Sequence, residues 1–248
     1  MTQNGRNSKS IQLNCFSPPI MLATFVIETV LAIYTVWRYK MTVLTRLITA
    51  GLLALGVFQL CEYHVCGGMG IRAAEWSRLG YVAISMLPPL GLHMLHVMAN
   101  KPKRKLVSFG YISMVAFIGF FLFIPSAFQG YQCTGNYVIF QIGLNAARLY
   151  GLYYYGLLLA AIGLGMRWAN QLKAAGKKSA KRLASVRGLI IGYLVFLVPT
   201  ALANSVKPET RRGIPSIMCG FAVLFAIILT LYVLPRLGEK RQRHLTTD

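Results

Sequence analysis

Within the long apolar runs of this sequence stand a few side chains able to do chemistry. Glu28 lies mid-run in ATFVIETVLA, Glu62 and His64 fall in QLCEYHVCGG at the end of another run, and QIGLNAAR carries Gln141, Asn145 and Arg148. The spacing of the last three, four residues then three, puts them along one helix face. A charged side chain at the centre of a bilayer-crossing helix costs ~2.5 to 3.5 kcal/mol on insertion scales. Glu28 must therefore face other helices and be neutral or paired, with Arg148, Asn145 and Gln141 as its expected partners. A guanidinium grips a carboxylate or phosphate through two parallel hydrogen bonds, so Arg148 is equally suited to a bound anion or to Glu62. Glu28, Glu62, His64, Gln141, Asn145 and Arg148 form the expected ligand-binding set.

QLCEYHVCGG crowds a carboxylate, an imidazole and two thiols into six positions. On a helix, Gln59, Glu62 and Cys66 share one face and Cys61 and His64 another, with the two thiols about 140° apart at 100° per residue. Thiols so placed cannot grip one ion, and no metal or other cofactor is expected. Cys66, Cys133 and Cys15 all map to the same side of the membrane, where oxidation is allowed. A bridge from Cys66 to Cys133 or to Cys15 is expected, and spacing alone leaves the choice open. Gly67 and Gly68 supply the helix stop.

SMLPPLGLHMLHVMAN holds the other unusual pattern. Pro88 and Pro89 remove two backbone donors in mid-span, so the helix must kink or break and neighbouring groups must satisfy the freed carbonyls. His93 and His96 are adjacent on the half beyond the break. They are expected to be hydrogen-bonded packing residues, with a proton path as the functional alternative. In RLYGLYYYGL, part of the cluster of Tyr150, Tyr153, Tyr154 and Tyr155 reads as an interfacial belt, since tyrosine favours head-group depth.

The elements that must position these residues are membrane spans. The chain has 248 residues, 56% hydrophobic and 13% charged, with mean hydropathy +0.55. Seven apolar blocks are long enough to cross the ~30 Å hydrocarbon core: 19–37, 43–65, 79–99, 106–125, 137–168, 188–204 and 214–234. The expected fold is an all-α integral membrane protein, a single seven-helix bundle spanning 1–248 with a basic tail over 235–248. The fifth block exceeds the bilayer and must tilt or project into water. The polar start of the chain has no apolar signal region, so the first span is expected to direct insertion itself.

Charge orients the bundle. Eighteen of the 26 Lys and Arg residues fall in the loops on one side and eight on the other. Basic residues stay cytoplasmic during insertion, which places the N-terminus outside and the C-terminus in the cytoplasm of a cell or inner membrane. The net charge of +20 thus marks loops facing anionic lipid head groups rather than nucleic acid, which wants basic and aromatic residues spread over one folded surface. The basic stretches 167–187, read as two short pieces joined at Gly176, and 235–248, read as a solvated end, are the surfaces open to a protein partner.

The segment EWSRLGYVAISMLPPLGLHMLHVMA resembles the third helix of the seven-helix N-terminal sensor region of some membrane histidine kinases, where a Trp before the helix is followed by a mid-helix proline. The resemblance covers about a tenth of the chain and implies a seven-helix sensor; the kinase output does not follow in this sequence. The last span has no lysine for a retinal Schiff base and no HxxxH pair, and no span carries a Ser, Asp and His set for intramembrane hydrolysis. The favoured reading is therefore a stand-alone sensor or binding protein with an outer-facing polar pocket, not an enzyme, signalling through a separate partner. The alternatives are a small transporter or intramembrane enzyme using Glu28 and His93, and a structural subunit of a membrane complex.

Overall fold

The computed structural model describes residues 18–67, 73–102, 105–133, 138–206 and 214–241. Its helices are α1 (Pro18–Arg38), α2 (Val43–Gly67), α3 (Ala73–Ser85), α4 (Leu87–Ala99), α5 (Lys105–Phe123), α6 (Leu144–Ala174), α7 (Ala180–Val206), α8 (Ile214–Ile227) and α9 (Leu234–Leu237). A two-stranded antiparallel hairpin, β1 (Phe128–Cys133) and β2 (Val138–Ile142), lies between α5 and α6. Seven stretches are long and apolar enough to cross a membrane; α3 with α4, and α8 with α9, each count as one.

The expected spans are all present, with three shifted boundaries. The third begins at Ala73, because AAEWSR continues the helix outward from Leu79. The fifth begins at Leu144 instead of 137: the apolar run VIFQI is strand β2, and Gly143 separates it from the helix. The sixth begins at Lys177, so 167–187 is not a loop of two separate pieces but the extended ends of α6 and α7. The turn between them hinges on Gly176, at φ +73°, a left-handed conformation that costs an L side chain most and glycine least.

The α2 helix is central, packed against α1, α3, α4 and α8. Large apolar side chains point away from the bundle on α5, where Ile112 is 70% and Phe123 81% exposed. Such faces suit lipid rather than water, since nothing polar covers them.

The two ends of the bundle differ. At one, which we call the hairpin end, β1 and β2 pack on α3 and α2. At the other, the basic end, the tail is not simply a solvated coil: α9 runs to Leu237, the Lys40 amide donates to Glu239 O at 2.8 Å, and the Arg241 amide donates to Arg38 O at 3.1 Å. The Lys40–Glu239 ion pair at 3.7 Å is exposed and adds little.

The third span is broken between α3 and α4, as Pro88 and Pro89 require. Proline at 89 cannot donate to the carbonyl of Ser85, four residues earlier. Tyr153 of α6 takes that place, its hydroxyl donating to Ser85 O at 2.5 Å. The Ser85 hydroxyl in turn donates to Tyr81 O at 2.6 Å and shares a 3.2 Å hydrogen bond with Tyr150 Oη. The break is thus held by two tyrosines of the YYY region. Tyr150, Tyr153 and Tyr154 are buried and do not form an interfacial belt.

Candidate functional site

The acidic residues come first, being the costliest to bury. Glu28 on α1 is fully buried, and neither carboxyl oxygen has a hydrogen-bond partner among the described residues. Gly56 of α2 lies opposite it, and a Cβ there would sit 3.9 Å from Glu28 Cβ, at ordinary contact distance. Glu62, on the same helix as Gly56, is 1% exposed. The Ser216 hydroxyl of α8 hydrogen-bonds it, while its other oxygen has no partner. The two carboxyls lie within electrostatic reach of each other and of Cys219. Gln59, one turn before Glu62, is also buried, with its amide nitrogen unpartnered among the described residues. Two buried carboxyls without a counter-charge are costly, and the chemistry open to such a pair is exchange of a proton or a small cation.

The second feature is a cavity of about 610 Å³ at the hairpin end, between α3, β2, α6 and α8. Its volume lies within the ~300 to 1,000 Å³ of ordinary ligand pockets. Tyr81 and Ile84 of α3 form one wall, Ile139 to Ile142 of β2 the roof, Leu144, Ala147, Tyr150, Gly151, Tyr154 and Tyr155 of α6 a second wall, and Ile214, Pro215, Met218 and Cys219 of α8 a third. No charged side chain lines it among the described residues. Tyr81 packs edge-on to Phe140 at 5.4 Å between ring centroids, and Tyr154 edge-on to Tyr155 at 5.8 Å. These arrangements set ring edge against ring face.

The tyrosine hydroxyls of this lining fall into two groups. Tyr150 is engaged by Ser85, and Tyr155 Oη donates to Met218 Sδ at 3.3 Å. Tyr81 and Tyr154 are 3% and 9% exposed, yet neither hydroxyl has a hydrogen-bond partner among the described residues. Their oxygens are not among the sealed polar atoms of the bundle, so both hydroxyls stay free to meet a molecule in the cavity.

The roof is pinned at two points. Cys66 and Cys133 form a disulfide that ties β1 to the end of α2, which decides the bridge left open by spacing; Cys15 lies outside the described residues. On the other strand, the Val138 amide donates to Ser216 Oγ at 3.2 Å. Ser216 thereby connects the hairpin to Glu62.

The six expected ligand residues are not gathered into one pocket. Glu28 and Glu62 are neighbours, and Glu62 reaches Tyr81 and Cys219 of the cavity wall electrostatically. Neither carboxyl lines the cavity, and only Gln141 of the six does. His64 stacks on Trp76, with centroids 4.4 Å apart and rings 14° from parallel. Asn145 and Arg148 are exposed on α6. Among the described residues Arg148 makes no ion pair with Glu28 or Glu62; it stands on the outer face of α6, while the carboxyls lie between α1, α2 and α8.

The two histidines beyond the break both make contacts inside the bundle. His93 Nδ1 is 2.9 Å from Tyr111 Oη. His96 Nδ1 donates to Leu92 O at 2.9 Å, and its ring meets Trp168 edge to face at 4.8 Å. Among the described residues no group of three or more His, Cys, Asp or Glu side chains is placed to hold a metal.

Neither protein-family models nor curated proteins match this chain. The geometry alone carries the functional reading. The residues that composition missed are Tyr81, Tyr154, Met218 and Cys219. The available signal was the pairing of Ala147 with Gly151, small residues one turn apart, beside the tyrosine run.

Proposed function

We propose that this chain is a membrane-embedded binding protein of the sensor type, whose ligand occupies the cavity at the hairpin end. The observation that supports this is the cavity itself: pocket-sized, roofed by a doubly pinned hairpin, and lined by two tyrosines whose hydroxyls have no partner among the described residues. In this reading the hairpin end faces outward and the basic end faces the cytoplasm, as the loop charges favour. An occupant would press on Tyr81 and Tyr150, which meet the α3–α4 break at Ser85. Movement of α4 would carry occupancy to the basic end and to a separate partner.

Thorough washing of the purified protein, to strip lipophilic molecules, should lower its thermal stability, and adding back the extracted fraction should restore it. In Gly151→Phe, which fills the cavity edge where a Cβ meets nothing within 4 Å, add-back should change nothing. Equal restoration in both proteins, or none in either, contradicts the proposal.

One observation favours a second reading. The unpartnered carboxyl of Glu28 suits a small transporter exchanging protons or cations. Uptake into proteoliposomes that is lost in Glu28→Gln would support it; a binding protein shows no flux in either form.

A further inference from the structure

The cavity has a composition that selects among ligands. It has no charged lining residue among those described, so burying a carboxylate, phosphate or ammonium group in it would leave that charge uncompensated, at a cost of several kcal/mol. The occupant is therefore neutral. Tyr81, Phe140, Tyr154 and Tyr155 present ring faces and edges, which favour a planar ring. Tyr81 and Tyr154 are buried residues whose hydroxyls have no partner among the described residues, and their oxygens remain accessible rather than sealed. A phenol donates more readily than it accepts, because its oxygen lone pair is shared with the ring, so these hydroxyls ask for acceptors on the ligand.

The route in is legible as well. Ala147 and Gly151 sit on α6 in the cavity lining, and a Cβ added at Gly151 would meet nothing within 4 Å. The neighbouring face of the same helix carries Leu144, Leu149 and Leu152, each more than 60% exposed. An apolar tail leaving by this window runs onto a lipid-facing surface.

From this lining we infer that the cavity takes a neutral, membrane-soluble ring bearing carbonyl acceptors, of the quinone class, with Tyr81 and Tyr154 donating to its oxygens. The inference rests on the reading of the cavity as a ligand site and adds the ligand's chemistry to it. No electron transfer is implied, only binding.

The test uses the full chain in nanodiscs, titrated with three probes followed by equilibrium dialysis: a benzoquinone with a decyl chain, decylbenzene without carbonyls, and decanoate. The quinone should bind the native protein most tightly. Tyr81→Phe and Tyr154→Phe, which remove one oxygen each, should each weaken it by roughly five- to tenfold, the worth of one hydrogen bond, while leaving decylbenzene unchanged. Gly151→Phe should abolish binding of both. Quinone affinity that is unchanged in the Phe variants, as when only water meets the hydroxyls, or no tighter than that of decylbenzene, overturns the quinone assignment and leaves the cavity reading standing. Tighter binding of decanoate overturns it as well. No binding of any probe to the native protein overturns both.

Discussion

Tyr153 Oη donates to the carbonyl of Ser85 at 2.5 Å, the backbone acceptor that Pro89 leaves without its helical donor. One side chain of α6 thereby substitutes for a main-chain hydrogen bond in α3, and the broken span and the tyrosine run become one structural unit. Removing the hydroxyl in Tyr153→Phe should cost about 1 to 3 kcal/mol, the penalty of a buried acceptor left unmet. In a Pro89→Ala background, where an N–H at position 89 can reach Ser85 O, the same change should cost clearly less. A double-mutant cycle on thermal unfolding measures the difference; equal costs in both backgrounds would contradict the substitution.

The hairpin should depend on its disulfide. Cys66→Ser or Cys133→Ser should lower stability by about 2 to 4 kcal/mol, and the double variant should cost no more than either single one. Limited proteolysis should then cut within β1 or β2 faster than in the native protein. Cleavage at the same rate in native and variant proteins would show that the hydrogen bond from Val138 to Ser216 and the strand pairing suffice alone.

Gly91 of α4 faces Tyr193 of α7. A Cβ there overlaps the hydroxyl of Tyr193, a residue 2% exposed, so the ring must shift to admit it. Gly91→Ala should therefore destabilise by about 1 to 3 kcal/mol, as overpacking does. Adding Tyr193→Phe should recover part of the loss, since it removes the overlapping oxygen. Thermal unfolding of the single and double variants checks both steps.

Glu28 separates binding from transport. Glu28→Gln keeps shape and hydrogen-bonding capacity while removing the ionisable group, and Glu28 lies outside the cavity lining. Ligand affinity should stay within about twofold of native, a shift of less than 0.5 kcal/mol. Glu28→Lys should fail to fold or insert, because it sets an unpaired cation at a fully buried position. Affinity and expression of the two variants are the measurements.

Much of this architecture is legible in the residues. Length and hydropathy locate seven spans because lipid admits few alternatives, and the break at Pro88 and Pro89 follows from a missing donor. Cys66 is read as a tether once helical geometry separates it from Cys61. The hairpin was hidden: VIFQI is apolar enough to merge with the span that follows, and only Gly143 marks the joint. The tyrosines were misread because a tyrosine suits both an interface and a buried polar contact, and its true partner, the Ser85 carbonyl, is a backbone group on another helix. Arg148 looked like the natural partner of Glu28 by charge, but helical spacing gives the face of a residue without giving the neighbour of that face. The buried carboxyl pair comes from the packing of α1 on α2, which no periodicity reveals.

The central claim is that the hairpin-end cavity holds a molecule in the membrane. Native mass spectrometry of the protein released directly from its own membranes tests it most directly. The account predicts a discrete small-molecule adduct on the native chain, absent from Gly151→Phe purified in parallel. An adduct-free native protein, or the same adduct on both, would contradict it.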